Sequence, residues 1–305
     1  MIESVGEREH SSWELEEGAE IAPGRSVLKR LGGGNRYEVM LVWDDRLFAI
    51  TVAKVLRPDY AEDERARAEL GEEAEALERL AHPVLVRGFD AVLEGPYPHL
   101  LIEHLEGPTL RRLLRRGGAL PLEQLLPLAA HVAAALQYMG NEEWVHLDVK
   151  PDNIVMGVPP RLIDLSIARS FDRAARLRSP IGTDPYMAPE QCAPDEHRGE
   201  VGPPADVWGL GATLYRAIAG RRPFPRPDGA GDSDDPAVRF PQLVERPVGL
   251  SDDVPTDLRE LLERTLARRP AERPSAAELV LELEPLVEAL PHKLTFSRRG
   301  TQTRF

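Results

Sequence analysis

Residues 146–153 have the sequence His-Leu-Asp-Val-Lys-Pro-Asp-Asn, and they follow a stretch rich in Leu and Ala, Leu122–Met139, that predicts a long helix. Beyond them, two short apolar runs separated by a Gly-Val-Pro-Pro turn predict a hairpin, and the second run ends at Asp164. This order gathers two carboxylates, Asp148 and Asp164, and the amide of Asn153 at the end of one hairpin.

Such a set of side chains suits phosphoryl transfer. One carboxylate can orient a hydroxyl nucleophile, and hard oxygen ligands can hold magnesium on the phosphates. Lys150 lies two residues beyond Asp148 and could neutralise charge on the moving phosphoryl group. Taken alone, these residues are more often ordinary turn formers, so the interpretation depends on the rest of the chain.

The segment resembles the catalytic loop of the protein kinase family, which is His-Arg-Asp followed by four residues and Asn, with Leu147 in place of the arginine. The resemblance implies that Asp148 is the catalytic base and that Lys150 contacts the transferred phosphate. It also implies that Asn153 and Asp164 are magnesium ligands.

A lysine at the end of a predicted strand is a second match to the family. Lys54 ends Val52-Ala53-Lys54, where the family has its nucleotide-anchoring lysine, and only four of the 38 basic residues are lysines. A lysine on a strand is usually a solvated edge charge. Lys54 and Lys150 both occupy lysine positions of the kinase pattern, which favours the functional interpretation of Lys54.

The resemblance also implies a glutamate partner for this lysine on the next helix. The candidates are Glu69, Glu72, Glu73 and Glu75. We choose Glu73 because it lies at helical spacing with the leucines at positions 70, 77 and 80 and so projects from the apolar face.

Three glycines, Gly32-Gly33-Gly34, stand between the first two predicted strands, where the family has its phosphate-covering loop. Gly32 and Gly34 match the first two glycines of that loop, and Tyr37 replaces the third. We expect weaker nucleotide binding or loop closure, because only glycine lets the backbone approach so closely. The resemblance places the adenine-binding hinge at residues 103–105. The nucleotide-binding set that it implies is Gly32, Gly34, Val39, Val52, Lys54, Glu73, Ile102, Glu103 and Leu105.

The segment from Asp164 to Glu190 resembles an activation segment. It opens with Asp-Leu-Ser rather than the family's Asp-Phe-Gly, and it closes with Ala-Pro-Glu. Its Gly-Thr pair is similar to that of the Ser/Thr branch of the family, which implies that Thr183 bonds to Asp148 and Lys150 as a further catalytic residue.

Leu147 leads to an expectation about regulation. The arginine that it replaces would bind a phosphate placed on the activation segment. We therefore expect phosphorylation of this segment, at Ser170, Ser179 or Thr183, to matter less for switching the enzyme on. Another basic residue, Arg169 or Arg178, could take over the missing role.

Two further matches are structural. Asp206, in the sequence Asp-Val-Trp-Gly-Leu-Gly, matches the buried helix that supports the catalytic loop, and Arg273 matches the arginine that pairs with Glu190. The resemblance covers about residues 25–290. It implies an α+β, bilobal protein-kinase-like fold with a small N-lobe, made of an antiparallel sheet and one helix, and a larger, mainly helical C-lobe.

The chain divides into four predicted parts: an acidic N-terminal extension at 1–24, the N-lobe at 25–105, the C-lobe at 106–290 and a basic C-terminal tail at 291–305. The extension is interpreted as a tail or a partly docked segment. The predicted strands lie at 26–28, 37–43, 47–56, 84–93 and 99–104, and the predicted helices include 59–80, 109–116 and 122–139.

Composition narrows the class of protein. The net charge of −13 argues against wrapping nucleic acid through its phosphates, and the chain lacks an apolar run of the roughly 20 residues needed to span a membrane. Its only cysteine, Cys192, allows no internal disulfide. We therefore expect a cytoplasmic enzyme with ATP and Mg²⁺, or Mn²⁺, as cofactors and with proteins as substrates. The two tails could bind a regulatory partner.

Three hypotheses for the function remain at this point. The favoured one is an active Ser/Thr protein kinase, since the implied proton acceptor, metal ligands and lysines are all present. The alternative is a pseudokinase that binds nucleotide or acts as a scaffold, suggested by Tyr37, Leu147 and the Leu-Ser pair at 165–166. A kinase-like small-molecule phosphotransferase is the third, and Thr183 and the Ala-Pro-Glu motif argue against it.

Overall fold

The computed structural model describes residues 11–194, 199–226 and 229–290, and they form the two lobes that the sequence predicts. The N-lobe is built on a six-stranded antiparallel sheet with the order β1-β2-β3-β4-β6-β5. Its strands are β1 (Glu20–Ala22), β2 (Arg25–Gly33), β3 (Tyr37–Asp44), β4 (Ala49–Leu56), β5 (Gly88–Val92) and β6 (His99–Glu103).

Alternation of side chains along β3 and β4 gives this sheet two different faces. Val39 lies opposite Lys54 in the register of the two strands, and both side chains face the cleft between the lobes. Met40 and Val42 point the other way and are buried in a small apolar core. One face of the sheet therefore carries the side chains directed into the cleft, and the other face carries the buried apolar side chains.

Residues 11–22 cover the outer face of the sheet. Trp13 donates from Nε1 to the carbonyl oxygen of Leu56 at 2.7 Å, and its ring packs edge-on against Tyr97. Ile21, in β1, is buried in the same core. Strand β1 thus lies inside the stretch that the sequence predicts as an extension, because its apolar residues find a hydrophobic surface to cover.

Two helices, α1 (Pro58–Ala61) and α2 (Glu64–Arg79), replace the single helix predicted at 59–80. The break lies at Asp63, where the backbone is extended, and the Asp63 side chain caps α2 by accepting from the backbone N–H of Ala66 at 2.8 Å. Leu70 and Leu77 are buried on the face of α2 that packs on the sheet, and Glu73 is buried with them.

The predicted strand at 84–93 is shorter in the structure, where only β5 pairs with the sheet. Val84 and Val86 instead bond to the backbone of Leu162 in the C-lobe, with N···O distances of 2.6 and 2.9 Å. Since all three side chains are buried, this contact joins the lobes through the core.

The C-lobe is mainly helical. Its described helices are α3 (Leu110–Gly117), α4 (Leu122–Asn141), α5 (Phe171–Ala174), α6 (Pro189–Cys192), α7 (Pro203–Ala219), α8 (Pro236–Arg239), α9 (Thr256–Thr265) and α10 (Ala276–Glu288). The long helix α4 packs against α7 and α10, and leucines and alanines of α4 fill the main core. The predicted C-terminal tail at 291–305 lies outside the described residues, as do residues 1–10 of the predicted extension.

Two short antiparallel strand pairs complete the C-lobe beside the cleft. Strand β7 (Trp144–Val145) pairs with β10 (Arg169–Ser170), and β8 (Ile154–Val155) pairs with β9 (Arg161–Leu162). The pairing of β8 with β9 confirms the predicted hairpin. This hairpin brings the end of segment 146–153 and the end of the second apolar run to the same edge of the cleft. No helix in the described ranges is both long enough and apolar enough to cross a membrane.

Candidate active site

Three polar side chains meet at the floor of the cleft. Lys150 donates from Nζ to Asp148 Oδ2 and to Thr183 Oγ1, each at 2.6 Å, and Thr183 donates from Oγ1 to Asp148 Oδ1 at 2.7 Å. The structure thus brings together the three residues that the resemblance pairs, although 33 positions separate Lys150 from Thr183. The two bonds hold the carboxylate of Asp148 in one orientation.

Asn153 lies in the single helical turn Pro151–Asn153 and also bonds to Asp148. Its Nδ2 donates to the backbone oxygen of Asp148 at 3.0 Å and to Oδ2 at 3.1 Å. Because the nitrogen makes these bonds, the oxygen Oδ1 is the atom of this amide that could bind a cation.

A buried carboxylate supports the loop from below. Asp206, in α7, accepts from the backbone N–H groups of His146 and Leu147, both at 2.7 Å. Burial raises the pKa of Asp206, while His146 and these two backbone bonds act in the opposite direction. Leu147 has φ of +65°, a left-handed conformation that is rare for a leucine. The bonds from Asp206 and from Gln191 Nε2 to the Leu147 carbonyl, at 2.9 Å, hold this conformation in place.

Lys54 lies above this group, on the sheet. Its Nζ donates to Glu73 Oε1 and Oε2 at 2.9 and 2.8 Å, and to Asp164 Oδ1 at 3.0 Å. Of the four candidate glutamates, Glu73 is the one that contacts Lys54. Burial alone would lower the pKa of Lys54, but the charges of Glu73 and Asp164 raise it well above its ordinary value. The lysine is therefore a permanent cation at this place.

Asp164, just beyond β9, forms an ion pair with Lys54 of the sheet. Burial alone would raise its pKa, but the charge of Lys54, their hydrogen bond and a bond from Ser166 lower it well below the ordinary range. Leu165, between Asp164 and Ser166, is fully buried in the main core. Asp164 also has φ of +68°, which an aspartate tolerates better than most residues.

These groups fit a divalent cation bound through phosphate oxygens. Asp164 supplies an ionised carboxylate and Asn153 a carbonyl oxygen, which are the hard ligands that Mg²⁺ prefers. The described residues contain no cluster of three or more His, Cys, Asp or Glu side chains able to hold a metal alone. A metal bound by Asp164 and Asn153 would need further ligands, which bound phosphates could supply.

The glycine loop differs in detail from the expectation. An added Cβ at Gly32 or at Gly34 would meet nothing within 4 Å, whereas at Gly33 it would lie 2.3 Å from the backbone oxygen of Tyr37. Gly33 has φ of +153° and Gly32 has φ of +146°, so the backbone favours glycine at both positions, and at Gly33 the close carbonyl oxygen adds a steric reason. The ring of Tyr37 lies with its centroid 4.6 Å from Lys54 Nζ.

The predicted hinge begins at the end of β6. Ile102 pairs with Val52 across the sheet, and Leu105 packs against the main core. The side chain of Glu103 accepts from the backbone N–H of Arg87 at 2.6 Å and forms an ion pair with Arg161. The backbone N–H of Glu103 also donates within the protein, to the oxygen of Arg87 at 2.9 Å.

The activation segment is held by contacts that the sequence did not predict in full. Leu147 is buried in an apolar cluster, against which Phe171, Leu177 and Ile181 of the segment pack. Two arginines of the segment also reach helix α2: Arg169 lies 3.4 Å from Glu72, and Arg173 lies 3.6 Å from Glu72 and 3.5 Å from Glu75. Arg169 was one of the candidates to replace the missing arginine, whereas Arg173 had no sequence signal beyond its charge.

A buried ion pair fixes the end of this segment. Arg273 donates to Glu190 through Nη1 and Nη2 at 2.6 and 2.8 Å, and both side chains are 0% exposed. The guanidinium group also lies 5.0 Å from the centroid of Trp208. The pairing expected from the sequence is therefore present.

Comparison with known proteins agrees with this geometry. The family profile described as "Protein kinase domain" matches residues 25–282. The serine/threonine-protein kinase PknB of Mycobacterium leprae is 31% identical over 266 residues, which are 83% of this chain and 41% of that protein. The probable serine/threonine-protein kinase PkwA of Thermomonospora curvata is 34% identical over 270 residues, 86% of this chain and 34% of PkwA. The chain spans less than two thirds of the length of these curated relatives.

Proposed function

The chain belongs to the protein kinase family, and we propose that it is an active Ser/Thr protein kinase of the eukaryotic-like (Hanks) type found in bacteria. It transfers the γ-phosphoryl group of ATP to serine or threonine hydroxyls of proteins. The observation that carries this proposal is the contact of Thr183 with both Asp148 and Lys150, beside the Lys54–Glu73 ion pair. A scaffold would not need all of these groups in bonded geometry.

Each group has a proposed task in the reaction. Asp148 accepts the proton of the substrate hydroxyl as that oxygen attacks the γ-phosphorus, and ADP leaves with the electrons of the broken P–O bond. Lys150 stabilises the negative charge on the phosphoryl oxygens in flight, and Thr183 fixes its position.

The nucleotide is held from the sheet side. Lys54 binds phosphate oxygens of ATP, and Glu73 keeps the lysine in place. Val39, Val52, Ile102 and Leu105 line the adenine pocket, backbone groups of residues 103–105 bond the base, and Gly32 and Gly34 cover the phosphates. Asn153 and Asp164 would hold Mg²⁺, which would neutralise charge on the phosphates.

The test is phosphate transfer by the purified full chain. With labelled ATP and Mg²⁺, we expect incorporation into generic Ser/Thr substrates, and we expect a loss of at least about 100-fold in rate for Asp148→Asn, which removes the proton acceptor. The variant should still bind ATP with wild-type affinity. If the wild type binds ATP but transfers no phosphate to any substrate or to itself, the pseudokinase hypothesis replaces this proposal.

We further propose that the activation segment does not need a phosphate to become ordered. Apolar contacts around Leu147 and the ion pairs of Arg169 and Arg173 with Glu72 take the place of a phosphate–arginine contact. We expect the protein to keep at least about half of its rate after complete dephosphorylation, because these contacts require no added charge. The rate is measured before and after phosphatase treatment, and a fall to background after treatment would show that a phosphate is required. A cytoplasmic location and a regulatory partner for the terminal tails stay predictions.

A further inference from the structure

Tyr37 stands where the family has a glycine, and the sheet directs its side chain into the nucleotide cleft. In the pairing of β3 with β4, Tyr37 lies opposite Leu56 and Val39 lies opposite Lys54. Residues two apart on a strand share a face, so Tyr37 faces the same way as Val39 and Lys54. Glu38, between them, is fully buried on the other face.

The ring of Tyr37 packs against the Lys54 ammonium group, and the lysine side chain is left 14% exposed. Nζ has three N–H bonds, and they are directed to the two carboxylate oxygens of Glu73 and to Asp164. The ring centroid lies 4.6 Å from Nζ, within the distance of a cation–π contact. The three bonded carboxylate oxygens and the ring thus leave little room beside Nζ for a phosphate. The negative face of the ring adds a barrier to an approaching anion.

The backbone around Tyr37 is fixed, so the loop cannot simply lift the ring away. Arg57 donates from Nε to the oxygen of Gly34 at 2.8 Å, and its backbone N–H donates to the oxygen of Arg36 at 2.9 Å. The N–H of Gly34 donates to the oxygen of Tyr37 at 3.0 Å, which closes the turn. Since Arg57 is itself buried, the ring can leave Lys54 most easily by rotating its own side chain.

We propose that Tyr37 occupies the phosphate subsite and competes with the phosphates of ATP for Lys54. The inference rests on the proposed function, because it takes this cleft to be the ATP site. Tyr37 is a positioning residue, and its ring must swing aside each time a nucleotide binds. It weakens the binding of a nucleoside triphosphate and leaves the binding of the nucleoside alone unchanged.

The test compares ligands with and without phosphates by calorimetric titration of the full chain. The ligands are the Mg²⁺ complex of a non-hydrolysable ATP analogue and adenosine, and the variants are Tyr37→Ala and Tyr37→Phe. We expect Tyr37→Ala to bind the analogue about 2- to 30-fold more tightly, which is the value of a lysine–ring contact expressed as a ratio of affinities. Adenosine affinity should stay equal to that of the wild type. Tyr37→Phe keeps the ring and should match the wild type for both ligands.

The possible results separate this inference from the proposed function. An alanine variant that binds the analogue no more tightly than the wild type shows that the ring does not compete, and overturns the inference alone. The same holds if adenosine gains as much as the analogue, since the cleft has then merely widened. If neither the wild type nor any variant binds the analogue, the inference and the proposed function both fall. Thermal unfolding of each variant checks that it is folded at the titration temperature.

Discussion

The ion pair between Arg273 and Glu190 gives a stability prediction that can be worked from the structure. Besides its two bonds to Glu190, Arg273 donates from Nε to the oxygen of Ala267 and from Nη1 to the oxygen of Pro204, both at 2.8 Å. Arg273→Ala removes these four bonds and a fifth, from Nη2 to the oxygen of Arg268 at 3.2 Å, and it leaves the Glu190 carboxylate without a counter-charge at 0% exposure. We expect this variant to lose about 3–5 kcal/mol of unfolding free energy, the cost of breaking a buried pair by removing one partner.

The assay is urea-induced unfolding followed by circular dichroism. The matched control is Arg264→Ala, which removes a pair with Glu282 in which both side chains are half-exposed; it should cost less than about 1 kcal/mol. The double variant Arg273→Met with Glu190→Leu should recover much of the loss, since no unpaired charge remains. Well below the unfolding transition, ATP affinity of the Arg273→Ala variant should be that of the wild type.

Two results would refute this reasoning. A loss below about 1 kcal/mol for Arg273→Ala would mean that the pair contributes no more than an exposed one. A double variant as unstable as the single one would mean that most of the lost unfolding free energy comes from the carbonyl oxygens that lose their donor, rather than from the unpaired carboxylate.

Two further predictions concern the lysine pair and the pH dependence of stability. Glu73→Gln should lower kcat/KM for ATP by about 10- to 100-fold, because a charged bond to Lys54 becomes a neutral one, while Glu78→Gln on the exposed face of α2 should leave steady-state rates unchanged; equal effects would contradict the role of the pair. His99 is buried and contacts Arg25 at 3.0 Å, and burial lowers its pKa below 6.5. The unfolded chain therefore takes up this proton more readily, and stability should fall as the pH drops below 6.5. In urea titrations at each pH, the wild type should lose more stability over this range than His99→Gln, and equal losses would show that another group is responsible.

The local parts of the site could be predicted from the sequence because neighbouring residues form them. Asp148, Lys150 and Asn153 lie within six positions of one another, and Glu73 followed from the spacing of apolar residues on one helix. The two-lobed fold followed in the same way from the order of several motifs, each typical of one element.

The remaining features depend on contacts between distant positions. The ion pairs of Arg173 with α2 arise only when the activation segment folds back on the N-lobe. An arginine that pairs and one that is solvated look alike in a sequence of which 29% is charged. The direction of the Tyr37 ring likewise depends on the register between β3 and β4, which the sequence of one strand alone does not show.

The family match and the folded N-lobe begin at different residues, because residues 11–22 pack on the sheet. The family match begins at residue 25, yet Trp13 bonds to the end of β4 and Arg57 donates to the oxygen of Ser11 at 3.0 Å. A fragment cut at the family boundary would expose the apolar surface that includes Met40 and Val42 to water, and such a surface invites aggregation. Expression fragments intended for crystallisation or inhibitor screening should therefore begin no later than residue 11.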